Sequence, residues 1–372
     1  MEKKMSHEEA LRFLNPKYEQ KPAGDVFMDI IAKKGFVVAI GVSSALDACL
    51  ARMVKENIEA SGGTSEYDAI YAGGWSFSCS RGYPDMGFLN RQIMADHMEN
   101  VVRTARSMPV IGDAETGYGD PKALTLTVKA YAKTGLAVAH LEDQDEDRAC
   151  GHGAGRTIVS SETMVAKLKS WRLALIAIGS HMRLLARTDA IGSTNGGLKT
   201  AIERGKRYMD AEIDGHRCAD LLWAEFATPD RDVIKTWVDA MRRHDSKMPL
   251  AINYSPNKDW PEWYRKNYPC EEPPSYRDLH KIGYSYIFHT IAASRMIMEA
   301  VYRGMMEFGM NGATALHVLQ DQQRGMVYGR PQAIAGMTDW QNYAIHVGGE
   351  EAEQRLAQSA GFGDGSGKLD QK

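Results

Sequence analysis

The sequence predicts an α/β protein of the (β/α)8 barrel type, and two observations carry the prediction. Eight short apolar runs rich in β-forming residues are continuous rather than alternating, which is typical of strands buried on both faces. Most of these runs are followed by a segment with helical periodicity, and this alternation favours parallel strands joined by right-handed crossovers. Eight strands close such a barrel, and 372 residues suffice for one barrel with extensions.

The predicted strands follow one another along most of the chain. They cover residues 36–40, 69–72, 109–112, 137–141, 183–186, 221–224, 249–252 and 284–288. An open doubly wound sheet is the rival architecture, and it normally has a glycine-rich nucleotide-binding turn after its first strand. The first predicted strand instead runs into Gly41-Val42-Ser43-Ser44, so the closed barrel is favoured.

The segments between the strands are predicted to form helices, because their apolar residues recur at helical spacing. These helices cover residues 44–58, 123–133, 161–178, 199–211 and 230–243. Residues 292–345 are also expected to be helical, and their many methionines are typical of a core or a subunit interface. The predicted organisation is a helical lead-in at 1–30, a catalytic barrel at 31–300, a C-terminal helical extension at 301–355 and a flexible tail at 356–372.

Composition argues against several classes of protein. Lys and Arg number 45 and Asp and Glu number 48, so the net charge of −3 speaks against a large basic surface for nucleic acid. No apolar run reaches the roughly 18 residues of a membrane span, and the N-terminus lacks the apolar stretch of a secretory signal. The five scattered cysteines form no CxxC pair, which favours free thiols in a reducing compartment. We therefore expect a cytoplasmic protein without nucleic-acid or membrane partners.

Polar residues gather at the carboxyl ends of the predicted strands, where barrel enzymes place their active sites. They are Gly73-Gly74-Trp75, Asp113-Ala114-Glu115, Glu142-Asp143-Gln144, Arg187-Thr188-Asp189, Glu225, Asn253-Tyr254-Ser255 and His289-Thr290. Polar residues are common at any strand end, because the chain there approaches solvent. This explanation could account for two or three of the seven segments, but less easily for all of them.

The acidic side chains among them predict a metal site. Four carboxylates that meet at one mouth repel each other unless a cation lies among them, and these are Asp113, Glu115, Glu142 and Asp143. Oxygen ligands of this kind favour Mg²⁺, and Mn²⁺ is possible.

The remaining strand-end residues suit an anionic substrate. Arg187 and Arg148 can hold a carboxylate, and neutral donors for a second carboxylate are Asn253, Ser255 and Thr290. Together with a divalent metal, these groups predict a small polycarboxylate as the substrate.

The loop after the fourth predicted strand carries a cysteine in a polar, glycine-rich setting. Cys150 lies two residues from Arg148 and two from His152, and nearby positive charge lowers the pKa of a thiol and suits it to proton transfer or nucleophilic attack. A lone cysteine near a histidine is usually accidental, but the setting of this loop favours a functional thiol. Zinc ligation by His152 is less favoured, because no second ligand lies at the required spacing.

In their order and spacing these motifs resemble the isocitrate lyase and phosphoenolpyruvate mutase superfamily, and the isocitrate lyases are the most similar. The resemblance runs from about residue 36 to residue 300. Its matching pieces are Tyr71 with Gly74-Trp75, Tyr83-Pro84-Asp85, Asp113 to Gly119, His140 to Gln144, Cys150-Gly151-His152, Ala186 to Ala190, Glu225 with Thr228-Pro229-Asp230, Asn253 to Pro256, and Thr290. It implies a (β/α)8 barrel whose C-terminal helices exchange between subunits of a homotetramer, and a lyase of the glyoxylate cycle.

The resemblance also implies a role for each matched residue. Asp113 would bind Mg²⁺ directly, and Asp85, Glu115 and Glu142 would hold its waters. The glyoxylate part of the substrate would contact Gly73, Gly74, Trp75 and Arg187, whereas the remaining substrate-binding residues are Gly151, His152, Glu225, Asn253, Ser255, Asn257 and Thr290. Cys150 would protonate the carbanion-like dicarboxylate as the carbon–carbon bond breaks, with His152 as the second catalytic residue.

The implied reaction is the cleavage of isocitrate to glyoxylate and succinate, but the sequence departs from the isocitrate lyase pattern at three positions. Ala149 replaces one of two basic residues before the cysteine, Asn257 stands where a serine is usual, and Gly73 replaces a second serine. These departures leave room for a 2-methylisocitrate lyase, for an oxaloacetate-type C–C hydrolase and for a barrel that binds a dicarboxylate without turnover.

Overall fold

The computed structural model describes residues 5–15, 20–145 and 150–358. Residues 21–294 form one compact unit, in which eight parallel strands close into a barrel. Each strand pairs with the next along the chain, and the eighth pairs with the first. The strands are Val37–Val42, Ala69–Ala72, Val110–Asp113, Val138–Glu142, Arg183–Thr188, Leu221–Ala224, Leu250–Asn253 and Tyr284–His289. The predicted barrel and all of its strands are confirmed.

Helices surround the barrel, and polar side chains cap many of them. Ser44, Asn90, Asp120, Ser160 and Asp230 each accept hydrogen bonds from first-turn amides, which fixes where a helix begins. The helices of this unit are Ala23–Lys34, Ala45–Ala60, Gly74–Ser80, Arg91–Ala105, Pro121–Thr134, Ser161–Ala177, Leu198–Met209, Arg231–His244, Trp260–Asn267 and Tyr276–Ile282. A short hairpin pairs Glu212–Ile213 with His216–Arg217.

The helix Ala23–Lys34 closes the amino end of the barrel. Phe27 is fully buried and packs edge-on against Tyr286 inside the barrel, with ring centroids 5.4 Å apart. Gly24 lies directly on the chain before the fifth strand, because a Cβ atom at this position would be 2.0 Å from the carbonyl oxygen of His181. Only glycine permits this close approach. The helix therefore covers the amino end of the barrel.

The second compact unit joins residues 1–20 to residues 295–372, and it is described over 5–15, 20 and 295–358. Its N-terminal helix His7–Leu14 packs on the last helix, with Phe13 and Trp340 edge to face at 4.7 Å. The other helices are Ala292–Asn311, which begins before this unit, Ala313–Gln323, Pro331–Ile334 and Met337–Gln358. From residue 359 onward the predicted tail lies outside the described residues.

The helix Ala292–Asn311 exposes large apolar side chains to solvent. Met296, Tyr302 and Met305 are each more than 60% exposed. Within the described part of the chain, no helix combines the length and the apolar character that a membrane crossing needs.

Candidate active site

A cavity lies at the carboxyl end of the barrel, with about 430 Å³ of empty space that includes open solvent. Most of the predicted site residues line it: Gly73, Gly74, Trp75, Asp85, Asp113, Cys150, Gly151, His152, Arg187, Glu225, Asn253, Asn257 and Thr290. Its lining also includes Tyr71, Trp223 and Ile291. The predicted residues Glu115, Glu142 and Ser255 are buried beside the lining rather than in it.

Backbone amides fix the carboxylate of Asp113 at the end of the third strand. Its Oδ2 accepts a hydrogen bond from the amide of Gly74 at 2.9 Å, and its Oδ1 accepts one from the amide of Glu115 at 2.9 Å. A Cβ atom on Gly74 would lie 2.5 Å from Glu115 Oε1 and 2.8 Å from Asp113 Oδ2. Glycine at position 74 therefore lets the backbone contact both carboxylates.

This set of oxygen donors fits a magnesium ion held mainly through water. Among residues 5–15, 20–145 and 150–358, no three Asp, Glu, His or Cys side chains are grouped closely enough to hold a metal between them. A metal here would take one carboxylate directly and the others through its waters, which is the binding mode that Mg²⁺ prefers. Burial raises the pKa of Glu142 well above its usual value, although the positive charge of Arg187 acts to lower it. A metal cation nearby would favour the ionised form of Glu142.

Arg187 is a buried cation held in a fixed orientation. Its guanidinium lies 2.8 Å from Glu142 Oε2 and 2.9 Å from Asp189 Oδ1, and it stacks over the ring of Trp223 at 4.3 Å. A Cβ atom on Gly151 would lie 2.3 Å from Arg187 Nη2. The loop can therefore lie against this cation only because residue 151 has no side chain.

The loop that carries Cys150 and His152 is anchored from behind by Arg156. Its buried guanidinium donates to the carbonyl oxygens of Cys150 and Gly153. Glycine at position 192 makes room for it, because a Cβ atom there would lie 2.1 Å from Arg156 Nη2. The predicted contact of Arg148 with substrate, like the departure at Ala149, falls outside the described residues.

The thiol of Cys150 differs from its sequence-based prediction. Burial, followed by the charge of Asp85, raises its pKa to about 11, and the favourable charge of Arg187 is too weak to offset this. The expected lowering of the pKa is therefore wrong, because the prediction counted nearby cations and ignored burial. Near pH 7 the thiol is protonated and suited to donate a proton.

Three polar side chains meet on the buried carboxylate of Glu225. His152 Nε2 and Lys258 Nζ each lie 2.9 Å from its Oε1, and Asn253 Nδ2 lies 3.1 Å from its Oε2. Glu225 and His152 line the cavity, whereas Lys258 supports Glu225 from outside the lining. Sequence reasoning missed Lys258, because a lysine after a strand end is usually solvated.

Ser255 differs in position from the other predicted substrate contacts. It is fully buried, and its hydroxyl accepts a hydrogen bond from the amide of Asn257 at 3.2 Å. Asn257 itself lines the cavity, and Thr290 Oγ1 lies 3.4 Å from Asn253 Oδ1 at the end of the eighth strand. At this side of the cavity the lining consists of neutral amides and a hydroxyl.

Asp143 does not join the carboxylates at the mouth, and this part of the prediction is wrong. The fourth strand ends at Glu142, and Asp143, the next residue of the extended chain, points to the opposite side. Asp143 Oδ2 instead lies 2.9 Å from Arg204 Nη1 and 2.8 Å from the hydroxyl groups of Thr188 and Tyr208. It belongs to a buried network between the barrel and the helix Leu198–Met209.

The rings of Tyr71 and His140 pack inside the barrel next to Asp113. The hydroxyl group of Tyr71 lies 2.8 Å from His140 Nε2, which is also 3.5 Å from Asp113 Oδ1. Burial lowers the pKa of His140 to about 4, so its ring is neutral near pH 7. The sequence placed Tyr71 and His140 in matching motifs without assigning either a role, because a lone histidine in an apolar strand carries little signal.

Comparison with known proteins gives a consistent result. The profile of the family described as phosphoenolpyruvate phosphomutase matches residues 32–308. An isocitrate lyase of Haloferax volcanii is 29% identical over 338 residues, which cover 90% of this chain and 90% of that protein. A 2,3-dimethylmalate lyase of Eubacterium barkeri is 37% identical over 187 residues, which cover 50% of this chain and 59% of that protein.

Solved structures share the fold. A 2,3-dimethylmalate lyase, described as a member of the PEP mutase/isocitrate lyase superfamily, matches with a TM-score of 0.65 and 24% identity over 92% of this chain and 96% of that chain. An oxaloacetate acetylhydrolase in complex with 3,3-difluorooxalacetate matches with a TM-score of 0.66 and 21% identity over 88% of this chain and 98% of that chain.

Proposed function

The chain belongs to the phosphoenolpyruvate mutase and isocitrate lyase superfamily, and on that premise we propose that it is a Mg²⁺-dependent lyase cleaving isocitrate, or a close 2-hydroxy tricarboxylate, to glyoxylate and succinate. One observation carries the proposal: a carboxylate, a buried guanidinium and a protonated thiol line the same cavity, from Asp113, Arg187 and Cys150. The choice of isocitrate is supported by similarity to the Haloferax volcanii isocitrate lyase across 90% of both chains.

Asp113 would be the direct metal ligand, while Asp85, Glu115 and Glu142 would hold metal-bound waters. When bound, Mg²⁺ supplies charge stabilisation to the substrate hydroxyl as it becomes a carbonyl. The carboxylate of Asp113 would need little rearrangement to bind the metal, because hydrogen bonds from the backbone amides of Gly74 and Glu115 already orient it.

The substrate would lie with its two parts on opposite sides of the cavity. Arg187 and the backbone at Gly73, Gly74 and Trp75 would bind the carboxylate of the glyoxylate part. The dicarboxylate part would face the amides and hydroxyls, with Gly151 and His152 closing over it from the loop. Of the residues predicted for this second side, Asn253, Asn257 and Thr290 line the cavity, Glu225 would act through its contact with His152, and Ser255 is buried beside the lining.

Cys150 would act as the general acid. Cleavage of the carbon–carbon bond leaves its electron pair on a carbon of the departing dicarboxylate, and the Sγ–H bond of Cys150 delivers a proton to that carbon. The substrate hydroxyl loses one proton as it becomes the aldehyde of glyoxylate, so the overall reaction consumes no proton. The raised pKa of Cys150 supports this role, because the thiol keeps its proton until a strong base forms beside it.

A panel of substrates tests the proposal directly. The full-length protein with Mg²⁺ is incubated with isocitrate, 2-methylisocitrate, 2,3-dimethylmalate and oxaloacetate, and the products are identified by mass spectrometry. We expect glyoxylate and succinate from isocitrate, lost on chelation and recovered with Mg²⁺ or in part with Mn²⁺. Oxalate and acetate from oxaloacetate, without cleavage of isocitrate, would establish the hydrolase instead.

A lyase for 2,3-dimethylmalate is the second candidate, and Asn257 is the observation that favours it. Asn257 lines the cavity on the side proposed for the dicarboxylate, at a position where isocitrate lyases usually have serine. 2,3-Dimethylmalate lacks the second carboxylate of the succinate part, so a different group would face this amide, and 37% identity to the Eubacterium barkeri enzyme over half of the chain is compatible with such a substrate.

We extend the proposal to a cytoplasmic homotetramer of the glyoxylate cycle whose C-terminal helices exchange between subunits. Its support is the helix Ala292–Asn311, whose exposed methionine and tyrosine side chains form an apolar surface that a second copy would cover. Light scattering after size-exclusion chromatography measures the assembly. A monomer across the micromolar range would contradict it.

A further inference from the structure

The turn after the seventh barrel strand carries a lysine whose charge is buried. The side chain of Lys258 is 6% exposed, and its ammonium group lies 2.9 Å from Glu225 Oε1. The turn is rigid, because the amide of Lys258 and the indole of Trp260 both donate to the carbonyl oxygen of Ser255. A lysine is seldom buried to this degree without a charged partner. The ion pair with Glu225 therefore accounts for its position.

Glu225 remains ionised although it is almost completely buried. Burial by itself raises its pKa, but the charge of Lys258 and the hydrogen bond from His152 outweigh burial and hold the pKa of Glu225 well below its usual range. Without the cation, less would oppose the effect of burial, and the pKa of Glu225 would rise.

The charge of Glu225 decides the state of His152. An ionised carboxylate can only accept hydrogen bonds, so His152 Nε2, which lies 2.9 Å from Glu225 Oε1, must carry a proton. A neutral Glu225 could instead donate its own proton to this nitrogen, and the His152 ring would then take the other tautomer.

We propose that Lys258 is a positioning residue of this active site: it keeps Glu225 ionised, and Glu225 in turn holds the His152 ring in one orientation with its proton on Nε2. This role rests on the proposed function, because it affects catalysis only if His152 contacts the substrate. Asn257, the residue before Lys258, lines the cavity directly. The turn therefore provides a neutral amide that faces the cavity and, next to it, a lysine that pairs with Glu225 behind the lining.

Among the residues that the structure describes, Lys258 is the lysine or arginine in contact with Glu225. The charge of Arg187 also acts on Glu225, but its guanidinium is engaged by two other carboxylates. His152 contacts Glu225 as well, whereas Cys150, His140 and Tyr284 lie within electrostatic reach and are neutral near pH 7. Loss of Lys258 would therefore remove the ammonium group from Glu225 and leave His152 and Asn253 as its hydrogen-bond partners.

Infrared difference spectroscopy on the full-length protein tests the charge of Glu225 without any substrate. Lys258→Met is expected to add the carbonyl band of a protonated carboxyl group near pH 7, and Lys258→Met combined with Glu225→Gln is expected to lack this band. Lys258→Arg keeps the cation and should match the wild type. Lys281→Met is the matched control, because Lys281 forms an exposed ion pair with Asp278.

Steady-state kinetics test the consequence for His152. On the substrate that the panel identifies, Lys258→Met is expected to lower kcat/KM about 10- to 100-fold near pH 7, the range seen when a residue that orients a ligand-binding side chain is lost. The pKa of Glu225 would then be raised, so kcat/KM of this variant should increase with pH over a range in which the wild type is flat. Lys258→Arg should restore most of the activity.

Either of two results overturns the proposal: no Glu225 carboxyl band in Lys258→Met, or a pH dependence of kcat/KM equal to that of the wild type. A merely structural role would lower activity by the same factor at every pH. If circular dichroism shows that Lys258→Met does not fold, Lys258→Gln carries the same two expectations. If the panel yields no substrate, the proposed function fails, whereas the infrared result still decides the role of Lys258.

Discussion

The guanidinium of Arg156 donates a hydrogen bond to the carbonyl oxygen of Cys150, with Nη1 and the oxygen 3.2 Å apart. The same nitrogen lies 3.0 Å from the carbonyl oxygen of Gly153. One buried side chain therefore fixes the backbone on both sides of Gly151 and His152, and the position of the proposed acid depends on a residue outside the cavity.

Arg156→Met is expected to lower kcat/KM about 100-fold, because a small displacement of the loop misplaces the thiol. It also leaves two carbonyl oxygens without their donor, at a cost of about 1–3 kcal/mol for each one that stays buried. Kinetics and urea unfolding measure the two effects. The control is Arg231→Met, which removes a partly exposed arginine paired with Glu271 and should change neither. Equal activity of Arg156→Met and wild type would contradict the anchoring role.

Gly151→Ala is expected to weaken substrate binding, because its Cβ atom would lie 2.3 Å from Arg187 Nη2 and displace either the loop or the guanidinium. We expect kcat/KM to fall about 100-fold, which is the usual effect of displacing an active-site group by about 1 Å. Gly304→Ala is the matched control, since its added methyl group would have no atom within 4 Å apart from its chain neighbours and the backbone of its own helix. Unchanged kinetics in Gly151→Ala would mean that the loop does not lie against Arg187.

Cys150→Ser is expected to lower kcat about 100- to 10,000-fold, because a serine hydroxyl is a much weaker acid than the thiol in proton transfer. Binding of the dicarboxylate product in the presence of Mg²⁺, measured by calorimetry, should change little, since other side chains hold it. Cys218→Ser replaces a buried cysteine outside the cavity lining and serves as the control. Full activity of Cys150→Ser would remove the thiol from the mechanism.

The thiol of Cys150 should be slow to alkylate at neutral pH. Only the thiolate reacts, and a pKa of about 11 leaves little of it near pH 7, so the rate should rise about tenfold per pH unit up to the pKa. Mass spectrometry after iodoacetamide treatment at several pH values measures this rate for each cysteine. Cys79 and Cys270 are exposed and provide the comparison. If Cys150 reacted as fast as they do at pH 7, its pKa would not be raised.

Arg204→Met is expected to lower the free energy of unfolding by about 3–5 kcal/mol, because it leaves the buried carboxylate of Asp143 without its cation. Urea unfolding measures the change. Arg207→Met, on the same helix, breaks an exposed pair with Glu162 and should cost at most about 1 kcal/mol. Adding Asp143→Leu to Arg204→Met should restore part of the lost free energy of unfolding, because it removes the unpaired buried charge. If no stability is restored, the unpaired charge of Asp143 is not the cause of the loss.

The barrel was predictable because its strands are apolar on both faces, and the structure extends several of them into the polar residues that follow. Asp113, Glu142 and Asn253 each end a strand that apolarity alone would stop one residue earlier. The cavity lining was predictable for the same reason, since parallel strands bring their carboxyl ends together.

The remaining features depend on side-chain direction and burial, which residue type does not reveal. Asp143 was misplaced because it was treated like its neighbour Glu142, although successive residues of an extended chain point to opposite sides. The pKa of Cys150 was misjudged because desolvation outweighs neighbouring charge once the loop is in place. Lys258 was overlooked because its burial follows from the turn at Ser255 rather than from any sequence motif.

The helix Ala23–Lys34, with Phe27 packed inside the barrel, covers the amino end opposite the cavity. If cleavage proceeds as proposed, two products of unequal size leave on the carboxyl side of the barrel. Where the product nearer the solvent departs first, product inhibition should be competitive for the product released last and noncompetitive for the other. Inhibition patterns measured with each product would then give the order of release.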